Sequence, residues 1–348
     1  MLERSTHPGE LEAVCNSGKK LAWPSEVCQR FGMNFDKQEH NLQDLSLFTD
    51  EAIIELLDTY PRRYLQCFTM GTDPGRPQDW RTVCIKNVSG KTLLNAVKRG
   101  LLWVNVTNIC RFNEKYCDLI TDTYTQIGSI ASHIKHPNPR YNTLVLASRG
   151  TQFYFHISPE HNMVWNMRGA VTVSALPALD FRFVSQKLLE DIYAHEASGA
   201  IPYRPEFEAS LQKINARSGE CVWWPQAAPV RIEYHEFNVS LITSYFNADT
   251  YRREHVQLAN RYLLRPFGAG KRSVDEHGML SRLKQVTFRG IAKMVELRKA
   301  YDFTDSYTTS LRVNTKYPDC IERLNETVIP EFSKFYEDIN SLNAANDA

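Results

Sequence analysis

A tyrosine, a histidine and a serine share one face of a strand that the sequence predicts near residue 155. In the segment FYFHIS, apolar residues alternate with Tyr154, His156 and Ser158. Successive side chains of a strand point to opposite faces, so these three groups should lie together. The other face should carry Phe153, Phe155 and Ile157. An imidazole with an ordinary pKa of about 6.5 can serve as a general acid or base. This face is therefore the first candidate for chemistry.

The predicted strand belongs to a strand, turn, strand unit that spans residues 151–177. Pro159 marks the turn, and residues 170–176 form a second apolar strand that Pro177 closes. Further predicted strands, at residues 229–234 and 237–246, make the centre of the chain β-rich.

Predicted helices lie on both sides of this centre. Thr49, Ser89 and Ser185 are candidate N-caps, and Gly100 closes the helix that follows Ser89. We predict an α+β fold with N-terminal and C-terminal helical extensions. Its parts are an N-terminal arm at 1–45, a mixed domain at 46–268, a helical region at 269–341 and a flexible tail at 342–348.

Charge and cysteine usage argue against several classes of protein. The 41 basic and 40 acidic residues nearly cancel, so no basic footprint for nucleic acid or anionic membrane is present. The eight cysteines form no CxxC pair, which argues against a zinc ribbon or a disulfide scaffold. No signal-peptide pattern and no apolar run of about eighteen residues appears. We therefore predict a soluble, cytoplasmic protein.

Two motifs in the β-rich centre resemble a known family. The first has His156, Asn162, Gly169 and Pro177 in the family's register. The second runs from Trp224-Pro225 through Pro229-Val230 to the strand segment Asn-Val-Ser-Leu at 238–241. Over residues 142–268 the sequence resembles the cupin-like branch of the JmjC family. The resemblance implies a double-stranded β-helix (cupin or jelly-roll) core, Fe(II), 2-oxoglutarate and oxygenase chemistry.

The same resemblance shows where this sequence departs from the family. The family binds iron through two histidines and a carboxylate, and a lysine pairs with 2-oxoglutarate. His156 is kept, whereas Ser158 stands at the carboxylate position, Val230 at the second histidine position and Val171 at the lysine position. Loss of the carboxylate alone would fit a related halogenase, but a single imidazole does not hold iron well enough to catalyse with it. We therefore expect no metal and no cofactor, with His156 as the remnant of the triad.

A pocket without its metal is expected to remain in the barrel. The residues that should line it are Tyr154, His156, Ser158, Asn162, Trp165, Val171, Val230, Ile232 and Ser240.

Three functions are compatible with such a pocket. The first is a degenerate family member that binds a small molecule or a protein. The second is a metal-independent isomerase, cyclase or lyase in which His156 is the acid or base and Tyr154 or Ser158 assists. The third is an iron-dependent oxygenase with relocated ligands. It would use His156 with a second histidine and a nearby carboxylate; the histidine candidates are His161 and His235, and the carboxylate candidates are Glu160 and Glu236. Strand parity places His235 on the face opposite Val230, which counts against the third.

The C-terminal helical region carries more apolar residues than one helix on a barrel usually needs. They recur at helical spacing and comprise Leu280, Leu283, Val286, Phe288, Ile291, Met294 and Leu297. Relatives in the family often dimerise through such helices, so we expect a homodimer; packing on the chain's own barrel is the alternative.

Overall fold

The computed structural model describes residues 21–76, 79–131, 133–134, 137–268, 270, 272–292 and 308–331. Its strands are β1 Asp36–Glu39, β2 Leu65–Thr69, β3 Arg81–Thr82, β4 Leu102–Val106, β5 Asn138–Ala147, β6 Gln152–His156, β7 His161–Arg168, β8 Ala170–Ala175, β9 Gln212–Arg217, β10 Glu220–Trp224, β11 Val230–Tyr234, β12 Asn238–Phe246, β13 Thr309–Val313 and β14 Ile321–Val328.

The helices are α1 Ser25–Arg30, α2 Asp50–Thr59, α3 Gly90–Arg99, α4 Ile109–Phe112, α5 Glu114–Ile130, α6 Gln186–Tyr193, α7 Ala248–Ala259 and α8 Met279–Ala292. None of the helices in the described ranges combines the length and the apolar composition needed to cross a bilayer.

The eight strands β5 to β12 are divided between two antiparallel sheets, and successive strands alternate between them except for β8 and β9, which both lie in the smaller sheet. The larger sheet has the order β1-β10-β7-β12-β5-β4-β2-β3, and the smaller has the order β6-β11-β8-β9. Thus β5, β7, β10 and β12 form one wall of a barrel, while β6, β8, β9 and β11 form the other. This alternation is the double-stranded β-helix, and it confirms the predicted α+β class with a cupin-type core.

The larger sheet has a buried face on each side, because alternate residues of its strands enter two different cores. In β7, Val164 packs inside the barrel whereas Trp165 packs outside it. The outer core includes residues of α2, α3, α4 and α5. Strands with both faces covered read as continuous apolar runs, as the last four residues of β5, Leu144–Ala147, do.

Side-chain caps fix the ends of several helices. Thr49, Ser89 and Ser185 accept hydrogen bonds from the backbone N–H groups of Ala52, Thr92 and Leu188, respectively, at 3.2–3.3 Å. These contacts confirm the predicted caps, and Gly100 ends α3 as expected. Such caps satisfy backbone donors that a helix leaves unpaired at its start.

The described part of the N-terminal arm is more ordered than its polar composition predicted. β1 pairs with β10 at the edge of the larger sheet, and Phe31 is fully buried. The Trp23 ring stacks on Trp223 at 5.4 Å, and its indole N–H donates to the Glu39 carbonyl at 2.9 Å. A few aromatic residues therefore anchor residues 21–45. They do not recur with a helix or strand period, so the periodicity of the sequence does not reveal them.

The C-terminal region is not entirely helical, which corrects the sequence-based expectation. β13 and β14 form a hairpin that joins the chain beside β3, where the Cys84 N–H donates to the Leu311 carbonyl at 2.8 Å. Alternating Thr309, Leu311 and Val313 supply the strand period in a stretch too short to stand out. Residues 1–20 and the predicted tail at 342–348 lie outside the described residues.

Candidate functional site

The interior of the barrel is packed with hydrophobic side chains from both sheets. Val171, Val230 and Ile232 are among them, with at most 5% of each residue exposed. Aromatic rings fill the remaining space: the ring centroid of Phe153 lies 4.9 Å from that of Trp103 and 5.6 Å from that of Tyr234. The interior is thus a close-packed core at the positions where the resemblance implies a polar active site.

His156 and Val230 are direct neighbours across two paired strands. β11 pairs with β6 so that Val230 lies opposite His156. Val230 also lies opposite Ala175 of β8, so its other neighbour is a small apolar residue. Two facing positions are what a pair of imidazole ligands needs, but the valine side chain offers no donor atom.

A bulge in β6 overturns the simple alternation predicted for residues 153–158. Two residues separate Phe153 from His156, whereas one separates their partners Ile232 and Val230. The extra residue turns the strand, so Phe153 faces the barrel while Phe155 and Ile157 enter a core outside the smaller sheet. Such a bulge re-aims side chains at the rim of a barrel, which strict parity cannot anticipate.

His156 lies at the mouth of the barrel beneath a neighbouring loop. The backbone of residues 199–201 pairs with β6, where the Ile157 N–H donates to the Gly199 carbonyl and the Ile201 N–H to the Phe155 carbonyl, each at 2.8 Å. A Cβ at position 199 would lie 2.5 Å from His156 Nε2. The side chain is exposed, yet desolvation by the surrounding protein lowers the pKa of His156. The imidazole is therefore neutral at pH 7.

The turn after β6 is closed by its own polar groups. The Ser158 hydroxyl donates to the Glu160 carboxylate, and the Asn162 side-chain amide donates to the Glu160 carbonyl at 2.9 Å. The Ala227 N–H donates to the Ser158 carbonyl at 3.1 Å, which ties the turn to the segment before β11. Ser158 stands at the position to which the resemblance assigns the carboxylate ligand. Its hydroxyl instead donates a hydrogen bond to the Glu160 carboxylate.

Tyr154 occupies the same mouth but makes different contacts from those of His156. Its hydroxyl donates to the Gly71 carbonyl at 3.5 Å, and its ring packs against the barrel core. Desolvation and the nearby carboxylates of Asp79 and Asp73 raise the pKa of Tyr154. The phenol is therefore protonated at neutral pH.

Trp165 and Ser240 do not share a pocket with His156. Trp165 faces the outer core, where its indole N–H donates to the Thr243 hydroxyl at 3.0 Å. Ser240 is fully buried and donates to the Asn166 side-chain oxygen at 3.3 Å. The Asn238 amide donates to the same oxygen at 2.7 Å. The sequence did not single out this buried amide cluster, although Asn166 follows Asn162 by four residues and so shares its face.

The histidines considered as replacement ligands lie away from the mouth. His161 stacks on Tyr245 at 4.9 Å, and burial, with a smaller effect of the Arg253 charge, lowers its pKa to about 3. His235 Nε2 lies 2.6 Å from the Thr172 hydroxyl, which also bonds Asn215 of β9. Both rings point away from the barrel interior. Across the described ranges, no three His, Cys, Asp or Glu side chains are grouped closely enough to hold a metal ion.

Iron and 2-oxoglutarate do not fit the residues present. The facing position supplies Val230 instead of an imidazole, and Val171, at the lysine position, lies in an apolar cluster with 1% of its surface exposed. A carboxylate buried among these side chains without a cation would be strongly disfavoured by desolvation. No reaction step is therefore assigned to either group.

Comparisons with known proteins find distant similarity to solved structures alone. No family model and no curated protein matches the sequence. Among solved structures, an X-ray structure of E. coli ycfD has a TM-score of 0.46 at 9% identity, covering 81% of this chain and 70% of that chain. A crystal structure of the Escherichia coli ribosomal oxygenase YcfD has a TM-score of 0.45 at 10% identity, covering 92% of this chain and 94% of that chain. Another YcfD structure, in complex with cobalt and 2-oxoglutarate, has a TM-score of 0.43 at 9% identity, covering 81% of this chain and 69% of that chain. The strand order therefore remains the basis on which the fold is identified.

Proposed function

We propose that this protein acts by binding a partner on an oxygenase-like scaffold and does not perform Fe(II)- and 2-oxoglutarate-dependent oxygenation. The observation that carries the proposal is the direct pairing of His156 with Val230 at the edge of a filled apolar barrel. A lone imidazole without a second ligand opposite it binds Fe(II) too weakly for catalysis. Binding at the protein surface is then the function that the scaffold retains.

Turnover of 2-oxoglutarate tests this proposal. Purified full-length protein is mixed with Fe(II), ascorbate and 2-oxoglutarate, and succinate formation is followed by NMR. Oxygenases of this class convert 2-oxoglutarate slowly even without their main substrate, so the identity of a substrate is not needed. We expect no succinate above the level of the His156→Ala variant; enzyme-dependent formation that this substitution removes would contradict the proposal.

The binding partner that the geometry favours is a protein, because one helix displays hydrophobic residues on its surface. On α8, Met279, Leu280, Leu283 and Val286 are 88%, 57%, 62% and 68% exposed. The same helix buries Lys284, whose ammonium group donates to the Asn260 side-chain oxygen at 2.8 Å and to the Ser273 carbonyl at 2.7 Å. A helix that buries its lysine and exposes its leucines has an apolar face suited to a partner.

We take that partner to be a second copy of the chain. The apolar spacing continues in the sequence through Ile291, Met294 and Leu297, whose side chains lie outside the described residues. A longer face of this kind suits the isologous helix pairing found in two-fold dimers. The dimerisation of family relatives through such helices supports the same partner.

Light scattering on the full chain tests the dimer. We expect a dimer for the unmodified protein, a monomer for Leu283→Glu and a dimer for Arg289→Glu, which places the same side chain at an exposed position of α8 outside its apolar face. A monomer at every concentration, or dissociation by both substitutions alike, would exclude this interface.

A second candidate function rests on the neutral imidazole at the barrel mouth. Desolvation lowers the pKa of His156, so its free base is available at neutral pH for proton abstraction. A metal-independent isomerase, cyclase or lyase would use this group, with the protonated Tyr154 as a donor. A turnover found by substrate screening should then disappear in His156→Ala with the fold intact, and activity that survives would remove this candidate.

A further inference from the structure

We propose that a surface pocket between α7 and α8 binds a phosphate-class oxyanion. The pocket has a volume of about 390 Å³ and is lined by Arg252, Glu276, His277, Gly278, Arg282 and Gln285. These residues come from the two helices and the loop that joins them, so the pocket is separate from the barrel. Its volume lies within the range of small-molecule sites.

The side chains that line the pocket carry more N–H donors than the hydrogen-bond acceptors around them can satisfy. Arg252 pairs with Asp249 through one terminal nitrogen, but its Nε is buried without a hydrogen-bond acceptor in the described part of the chain. The exposed residues Arg282 and His277 add a second guanidinium and an imidazole. A buried N–H without a partner is unfavourable, so the Arg252 guanidinium, whose side chain is 35% exposed, would gain an acceptor by turning toward an anion in the pocket.

Glu276 does not cancel this positive charge, because it is already paired. The Nε of Arg253 donates to the Glu276 carboxylate, and the two side chains are 19% and 10% exposed, respectively. Arg253 is itself fixed by a 3.1 Å hydrogen bond to the Gln226 carbonyl. Among the described lining residues Glu276 is the only acid, and because Arg252 is paired with Asp249, the excess positive charge of the pocket is that of Arg282.

The loop that completes the pocket is held in place before any ligand arrives. The Gln285 side-chain amide donates to the Glu276 carbonyl at 3.3 Å and to the Ser281 hydroxyl at 3.0 Å. The His277 N–H donates to the Asp275 carboxylate at 2.9 Å. Little ordering is then needed on binding, which favours affinity for a small ligand.

Guanidinium groups on two different elements indicate which anion fits. Arginine offers a planar fork of N–H donors that suits carboxylates and phosphates. Donors from α7, the loop and α8 approach the pocket from several sides, which suits the tetrahedral oxygens of a phosphate better than a planar carboxylate. The volume leaves room for a small organic group, so a phosphate monoester is the expected class of ligand.

Titrations of the full-length protein with inorganic phosphate, with glycerol phosphate and with succinate test the proposal by calorimetry at low salt. We expect saturable binding of one phosphate per chain, tighter binding of the monoester and weaker binding of succinate. Arg282→Ala and Arg252→Lys should each weaken phosphate binding at least about tenfold, because each removes charge-assisted hydrogen bonds. Arg252→Lys keeps the charge beside Asp249 but removes the Nε donor.

Arg289→Ala is the matched control, since it removes an exposed arginine of α8 that does not line the pocket. Its phosphate affinity should equal that of the unmodified protein, and circular dichroism checks that all variants are folded. Non-saturable binding, equal affinity in all folded variants, an equal loss in Arg289→Ala, or succinate binding as tight as phosphate would each overturn the proposal.

Discussion

Replacing Val230 by His and Ser158 by Asp should create a metal site that the unmodified protein lacks. Val230 lies opposite His156 in the β6–β11 pair, and Ser158 follows His156 by two residues. The two substitutions would therefore complete a two-histidine, one-carboxylate set around a single point. Cobalt(II) is the appropriate probe, because its visible absorption reports the number and geometry of ligands.

The stability of the double variant gives the expected magnitude. Val230 is 5% exposed and packed beside Ala175, so a larger polar ring there should lower the free energy of unfolding by about 1–3 kcal/mol. The new carboxylate would also lie near Glu160, which adds repulsion. Cobalt at a hundred times its dissociation constant should raise the free energy of unfolding by about 2.7 kcal/mol, because it binds only the folded state.

Urea unfolding with and without cobalt, together with absorption spectra, measures both effects. The control is the same double variant with His156→Ala, which keeps the two new groups but removes the native imidazole. We expect cobalt to stabilise the double variant and to leave both the control and the unmodified protein unchanged. The geometry argued for His156 and Val230 would be refuted if cobalt stabilised the unmodified protein equally. It would also be refuted if the double variant folded but its stability and spectrum did not change with cobalt.

Three further predictions concern the supports of the site. Gly199→Ala should lower the free energy of unfolding by about 1–3 kcal/mol in urea, because its Cβ would lie 2.3 Å from the Ile157 carbonyl, whereas Gly270→Ala, with no heavy atom within 4 Å, should not. Glu190→Gln should cost about 3–5 kcal/mol in the same assay, since Glu190 is fully buried and accepts from Arg272 at 2.7 Å; Glu206→Gln, at an exposed position, is its control. Lys98 and Arg168 lower the pKa of Asp50, so this carboxylate stabilises the fold above its ordinary pKa of 3.8 and loses that effect as the pH falls below it. Asp50→Asn should therefore lower the free energy of unfolding by less than about 1 kcal/mol at pH 7, given that the group is 35% exposed, and by less at pH 2 than at pH 7; a larger loss at pH 2 would contradict the assignment.

The two motifs around His156 and Val230, taken together, predicted the core of the fold better than the hydrophobic periodicity of single segments did. The strands on either side of His156 and Val230 have the order expected from the resemblance, and the side-chain caps at Thr49, Ser89 and Ser185 form. Each of these depends on a short stretch of chain whose physical preference agrees with the fold. The N-terminal arm and the β13–β14 hairpin were missed because their order depends on contacts with distant strands.

The candidate site was predictable in its chemistry but not in its shape. The residues at the family's ligand positions stay a prediction from the resemblance, to which the structure adds that Val230 pairs with His156 across β11 and β6. The bulge in β6 and the outward direction of Trp165 depend on the register of several strands, which one sequence does not specify. The sequence did not predict the α7–α8 pocket either, because its two arginines belong to different helices whose packing depends on tertiary contacts.

The metal content of the unmodified protein tests the central claim most directly. Full-length protein is purified, incubated anaerobically with one equivalent of Fe(II) and with 2-oxoglutarate, separated from free metal, and analysed for iron. The pairing of His156 with Val230 predicts far less than one iron per chain and no absorption band from a 2-oxoglutarate complex. One tightly held iron per chain, lost in His156→Ala, would contradict it.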